Sequence, residues 1–131
     1  MMRVDLEKTK EFYFAYNDLC DCDLCRFYRE NIKDLESGLD IYLGNKNIEI
    51  AKPYELAYPY VDNSNNLIYP FAQYLVIGYC QEGYEIVVDG FTIKKADSFP
   101  DIATKDDYFI LEVYDISFDK DNFDRSIIDH L

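Results

Sequence analysis

The amino-acid sequence predicts an α+β domain in which N-terminal helices pack on one face of a C-terminal antiparallel sheet, a meander of about four strands. Apolar residues recur at helical spacing as far as Leu43, and from Leu67 onward the period changes to two. Between two of the later apolar runs stands Asp89-Gly90, the strongest hairpin signal in the chain. No internal repeat, linker or low-complexity tract divides residues 1–131, which read as a single domain.

The first helix is expected between Val4 and Asn17. Asp5 is placed to cap it, and Leu6, Thr9, Tyr13 and Tyr16 share one face. The aromatic run Phe12 to Tyr16 would also suit a strand, but Asp5-Leu6-Glu7 puts acid at the positive end of a helix dipole and favours the helix. Asp23 to Leu43 is the clearest helical region. Leu24, Phe27, Tyr28, Ile32, Leu35, Leu39 and Tyr42 form its apolar side, and Ser37-Gly38 is expected to break it before Gly44 stops it. Pro53 and Pro59 mark an irregular middle.

Asp62 to Asn66 is a polar turn that leads into the strands. Tyr74 to Cys80 is continuously apolar apart from Gly78, as in a strand covered on both faces. A two-residue turn at Asp89-Gly90 pairs Val88 with Phe91 and Ile86 with Ile93, which puts both apolar pairs on one face. Tyr108 to Phe118 is a long last strand with Phe109, Leu111 and Val113 on one side and Tyr108, Ile110, Tyr114 and Ile116 on the other. Apolar residues on both sides imply a central position, or a bulge that re-aims the strand. The acidic tail from Asp119 to Leu131 would allow a short final helix.

Composition narrows the function. Thirteen basic against 26 acidic residues give a net charge of −13, a field that repels phosphate backbones and anionic membranes and attracts a basic protein partner. The same charge also serves solubility alone. No apolar stretch reaches the length of a membrane span, and Met1 to Lys10 lacks the apolar core of a signal peptide, so a cytoplasmic protein is expected. Four cysteines in that setting argue for free or metal-bound thiols rather than a disulfide framework.

Three of the four cysteines fall in Cys20-Asp21-Cys22-Asp23-Leu24-Cys25, at the expected start of a helix. Cys22 and Cys25 have the spacing of paired zinc ligands; Cys20 would be a third, and Cys80 or His130 a remote fourth. Against zinc stands the missing second pair. Moreover, if Cys22 and Cys25 both lay within the helix, their side chains would point along it rather than converge. A reactive thiol at Cys25 is disfavoured by Asp18, Asp21 and Asp23, which Arg26 and Arg29 offset only partly. The remaining possibility is purely structural, with small buried thiols beside a tight turn.

Other motifs exclude more than they suggest. His130 is the only histidine and sits one residue from the end, which rules out histidine triads and HExxH metal sites. Asp119 to Asp124 opens like a calcium loop but places Phe123 and Asp124 where a ligand and a glycine are needed. Asp62 to Leu67 lacks that glycine too. No glycine-rich phosphate loop is present, and Asp106-Asp107 at a strand entrance reads as edge protection. Thirteen tyrosines without tryptophan are the other excess; Tyr54, Tyr58, Tyr60 and Tyr69 gather in the irregular middle, where a binding loop would lie, or else cover a small core from outside.

Across Asn17-Asp18-Leu19-Cys20-Asp21-Cys22-Asp23-Leu24-Cys25-Arg26-Phe27-Tyr28 the chain resembles a group of small uncharacterised proteins from Firmicutes. Val4 to Tyr13, Ile50 to Glu55 and Ala96-Asp97-Ser98 are similar to theirs too, so the resemblance spans most of the chain. It implies a bacterial, gut-associated source and a cysteine cluster common to the group; it assigns no activity and no catalytic residue.

Three functions are therefore carried forward. The first is a non-enzymatic interaction protein, of inhibitor or immunity type, whose acidic, tyrosine-rich surface meets a basic partner. The second is a small zinc-binding domain built on Cys20, Cys22 and Cys25. The third, an enzyme using Cys25 or an acidic cluster, has no support beyond the thiols. Open edges of the hairpin leave a homodimer possible.

Overall fold

A computed structural model describes residues 1–35, 38–119, 121, 123 and 125–128. Ser37, His130, and Lys120, Asn122 and Asp124 of the calcium-like segment lie outside the described residues.

The α+β plan is present. A short strand β1 (Met2–Val4) precedes helix α1 (Leu6–Ala15), then come helix α2 (Asp23–Asn31), a 3-10 turn (Ile32–Leu35) and helix α3 (Gly38–Gly44). The strands that follow are β2 (Glu55–Leu56), β3 (Tyr60–Val61), β4 (Leu67–Cys80), β5 (Glu85–Val88), β6 (Phe91–Lys95) and β7 (Tyr108–Phe118). A 3-10 turn at Arg125–Ile128 is the helical element of the acidic tail. No described helix is long and apolar enough to cross a membrane.

Asp5 caps α1 as expected, its carboxylate accepting from the Lys8 N–H at 3.0 Å. Helix α2 ends earlier than its apolar periodicity predicts. The Asn31 side-chain amide donates to the Phe27 carbonyl (2.9 Å), competing with the helix for that acceptor, and the chain tightens into the 3-10 turn. Helix α3 is tied to the hairpin turn, because the Gly38 N–H donates to the Asp89 carboxylate at 2.7 Å.

The strands run in the order β1-β4-β7-β6-β5, with β2 and β3 also pairing with β4. Thus β5, β6 and β7 form a meander, while β4 pairs with the last strand. The hairpin has its expected register, Val88↔Phe91 and Ile86↔Ile93, and positive φ at both Asp89 (50°) and Gly90 (85°), the signature of a type I′ turn.

β4 and β7 stay in one register from Leu67↔Phe118 to Ile77↔Tyr108, interrupted only at Pro70. Proline has no N–H to give the ladder, and Asp115 opposite it takes a left-handed φ of 54°. There the alternation of both strands slips by one residue. Leu67 and Tyr69 of β4 face the helix-side core before the slip, and Ala72, Tyr74 and Val76 after it; on β7 the matching sets are Phe118 and Ile116, then Val113, Leu111 and Phe109. Ile116 therefore joins the same side as Val113, contrary to simple alternation, while Tyr108 and Ile110 make the other side apolar because a second cluster covers it.

The helices close the main core with Tyr13, Tyr28, Leu39 and Leu43. A smaller cluster on the other sheet face, Leu75, Ile77, Ala96 and Ile110, is covered by Phe99 and Ile102 from the loop before β7.

Gly78 shows how tightly β1 is laid on β4. Its φ is +145°, and a Cβ there would lie 2.0 Å from the Arg3 carbonyl oxygen. Replacing it with Ala (Gly78→Ala) is expected to lower unfolding free energy by about 2–4 kcal/mol through strain and forced separation of β1. Urea denaturation measures this, and an unchanged midpoint would contradict the close approach.

Candidate functional site

Cys22 is the N-cap of α2, with extended backbone (φ −70°, ψ 160°), and so stands outside the helix. That removes the geometric objection to convergence. From the cap position its side chain turns back over the first turn, where Sγ accepts the Cys25 N–H at 3.4 Å. Cys25 rises from that turn, and Cys20 approaches from the preceding segment. The Sγ atoms of Cys20, Cys22 and Cys25 all lie within 4.8 Å of one another. A tetrahedral thiolate site with metal–sulfur bonds of about 2.3 Å needs sulfurs about 3.8 Å apart, a gap closed by small side-chain rotations. The three cysteines are close enough to hold a metal ion.

Two arginines brace the loop. The Arg29 guanidinium donates to the Cys20 carbonyl and lies 3.7 Å from the Asp21 carboxylate. Arg26 pairs with Asp23 and stands 3.9 Å from Asp21. At the start of the helix, packing fixes its height over the sheet: the Tyr69 hydroxyl, from β4, donates to the Leu24 carbonyl at 2.6 Å.

The sulfurs are not equivalent. Burial pushes the Cys22 thiol up, but hydrogen bonds from the Cys25 N–H and from the Cys20 and Cys25 thiols outweigh it, and the net shift is downward from the ordinary thiol value. Cys25 goes strongly the other way, through burial first and then through hydrogen bonding with Cys20 and Cys22. In the metal-free chain Cys22, at the helix cap, is therefore more readily ionised than Cys25.

The remaining candidates sit apart from this cluster. Cys80 is buried at the end of β4, its thiol directed to the Gln81 carbonyl (3.6 Å), and it does not join the three sulfurs. His130, the other suggested fourth ligand, lies outside the described residues. Tyr69 is a correction to the tyrosine surface: it is 0% exposed, because β4 turns its ring into the main core beside Tyr28 and Phe118. Tyr58 and Tyr60 are exposed at 65% and 49%, and Tyr54 is partly buried. The Asp62 segment is a self-bonded turn, in which the Asp62 carboxylate accepts from the N–H groups of Ser64 and Asn66, both at 2.9 Å. Asp106 is held by Lys8 at 2.7 Å.

Sequence spacing alone missed the recess beside the cysteines. Pro53 and Tyr54 lead into β2, and the end of α1 brings Tyr16 over Tyr54, their rings stacked at 5.9 Å. Together with Cys20, Cys25 and Arg29 they enclose a cavity of about 160 Å³. Tyr16 carried a weak signal in the aromatic run ending α1, and Arg29 one as a partial offset to the acids around the cysteines.

In metal-free protein, alkylation with iodoacetamide at pH 7.5 is expected to mark Cys22 at least about tenfold faster than Cys25. Fragment-ion mass spectrometry of the cysteine peptide reads the ratio, and equal rates would contradict the asymmetry of the cluster. No protein-family model matches this chain, and neither a curated protein nor a solved structure matches it.

Proposed function

We propose that the chain is a small zinc-binding protein in which Cys20, Cys22 and Cys25 act as thiolate ligands. The convergence of three Sγ atoms within 4.8 Å carries the reading. Thiolate sets select zinc, copper(I) or iron–sulfur clusters, and a three-sulfur site at a helix cap suits a single tetrahedral ion. The N-cap geometry assists, since the N–H that already points at the Cys22 sulfur also stabilises a metal-bound thiolate. Chain ends of the loop are held by Arg29, so the ligands need little ordering on binding. Elemental analysis of protein purified without chelator is expected to give about one zinc per chain and, for Cys22→Ser with Cys25→Ser, less than about a tenth. Less than a tenth in the unsubstituted protein would remove the metal reading.

A second reading rests on a different observation. Tyr58, between β2 and β3, and Tyr60, the first residue of β3, are exposed on a chain of net charge −13. Tyrosine offers contact area at small entropic loss, and acidic surroundings select a basic protein partner. The chain then acts as a non-enzymatic binder. Association with a cationic nucleic-acid-binding protein is expected to weaken by about tenfold or more between 50 and 300 mM salt. It is also expected to weaken in Tyr58→Ala with Tyr60→Ala. Association insensitive to both changes would contradict it.

A further inference from the structure

The recess beside the cysteines bears on what completes the metal's coordination, and the inference rests on the zinc reading above. Three thiolates leave a tetrahedral ion one position short. Among the described residues no other Cys, His, Asp or Glu joins the three sulfurs, and Cys80 is directed elsewhere. Cys20 and Cys25 themselves form part of the recess wall, so the recess adjoins the ligand cluster. At about 160 Å³ the space exceeds what one water occupies (about 30 Å³) several-fold.

The walls specify more than size. Arg29 stands on one side with its side chain only 19% exposed; the Cys20 carbonyl and Asp21 use part of its donor fork and leave N–H groups for a carboxylate. Asp18 and Glu55 stand at the same recess and favour a cation. The stacked rings of Tyr16 and Tyr54 give an apolar side, and the Tyr54 hydroxyl, donating to the Asp101 carbonyl at 3.0 Å, holds its ring in place. A soft donor for the metal, a carboxylate for Arg29 and an ammonium for the acids are thus required within a few bonds of one another.

We propose that this recess binds a small amino-acid thiol of the cysteine class, its sulfur completing the tetrahedral coordination of the metal. On binding the thiol loses its proton to solvent and its thiolate takes the fourth position, the metal keeping its oxidation state. The carboxylate lies against Arg29, and the ammonium faces Asp18 and Glu55. The chain then serves as a receptor or carrier for such a thiol.

Cobalt(II) in place of zinc makes the site visible. Titrating the cobalt-loaded full chain with L-cysteine is expected to raise sulfur-to-cobalt charge-transfer absorption by about one third as three thiolates become four. Half-saturation is expected at least about tenfold below that for 3-mercaptopropionate, which lacks the ammonium, or cysteamine, which lacks the carboxylate. Serine should change nothing. Equal affinities for the three thiols would overturn the assignment of the recess, as would loss of the cobalt spectrum to free cysteine. A tetrahedral spectrum indifferent to all three, and altered in His130→Gln, would give the fourth position to the chain and leave the zinc reading standing. Failure to bind cobalt or zinc at all would instead remove the metal reading itself.

Discussion

The outer edge of β4 is the constraint on which the rest of the structure depends. A fourteen-residue strand in the middle of a sheet needs hydrogen-bond partners along both sides, and β7 supplies only one. The other side is assembled piecemeal from the N-terminal part of the chain. β1 pairs with Gly78 to Cys80, β2 with Ala72 and Gln73, and β3 with Leu67 and Ile68. Between β1 and β2 a helix does the work of a strand. The Asp5 N–H donates to the Ile77 carbonyl (2.8 Å), the Thr9 hydroxyl accepts from the Ile77 N–H (3.1 Å), and the Tyr13 hydroxyl donates to the Leu75 carbonyl (2.7 Å). Thr9 and Tyr13 are one helical turn apart, so a single face of α1 reaches successive outward groups of β4. The position of α1 is set by backbone hydrogen bonding, and with it the place where Tyr16 meets Tyr54.

Tyrosine makes this arrangement possible, and the abundance of tyrosine has its first explanation inside the protein. Tyr13, Tyr28, Tyr69 and Tyr74 are all but wholly buried, and each hydroxyl finds an acceptor. Tyr74 donates to the Ile50 carbonyl (2.7 Å), which leaves Tyr28 to donate to the Tyr74 oxygen at 2.5 Å. This chain crosses the core from α2 to β4 to the segment after α3. Phenylalanine would fill the same space, but it would leave the Ile50 carbonyl buried without that donor, at a penalty of about 1–3 kcal/mol. Burial accordingly pushes the Tyr28 and Tyr74 hydroxyls up, which favours their neutral, donating form.

These particulars separate what a linear reading can detect from what it cannot. The cap at Asp5, the period change near Leu67 and the Asp89-Gly90 turn are local signals, and the structure contains all three elements. The end of α2 depends on a side-chain amide competing for the Phe27 carbonyl, which apolar periodicity does not register. The slip at Pro70 is harder still, because it needs Asp115 as its partner across the ladder, and pairing between β4 and β7 is a long-range choice. β2 and β3 are too short to carry a period. At the site, the spacing of Cys20, Cys22 and Cys25 was legible, whereas the role of Cys22 as the cap was not, since a thiol is an unusual cap. Tyr69 looked like its neighbours Tyr54, Tyr58 and Tyr60 because a position in an irregular segment and a position opening a strand differ only in three dimensions.

By sequence alone the acidic residues interleaved with the cysteines oppose thiolate chemistry, and geometry decides the competition differently. Asp21 and Asp23 are solvent-exposed, and each lies within ion-pair range of Arg26 or Arg29. Their fields reach the sulfurs through water and next to compensating charge, where Coulomb interactions are weak. The donors that favour the thiolate act without that screening: the Cys25 N–H points at the Cys22 sulfur from 3.4 Å, at the positive end of a nine-residue helix. A contact donor outweighs exposed charges one screened layer away, and the net downward shift at Cys22 has that origin. One of these carboxylates then has a different use. Asp21, by engaging Arg26 and Arg29, holds the loop that carries Cys20 against the helix, so an acid that would weaken a lone thiolate also helps to bring the three cysteines together.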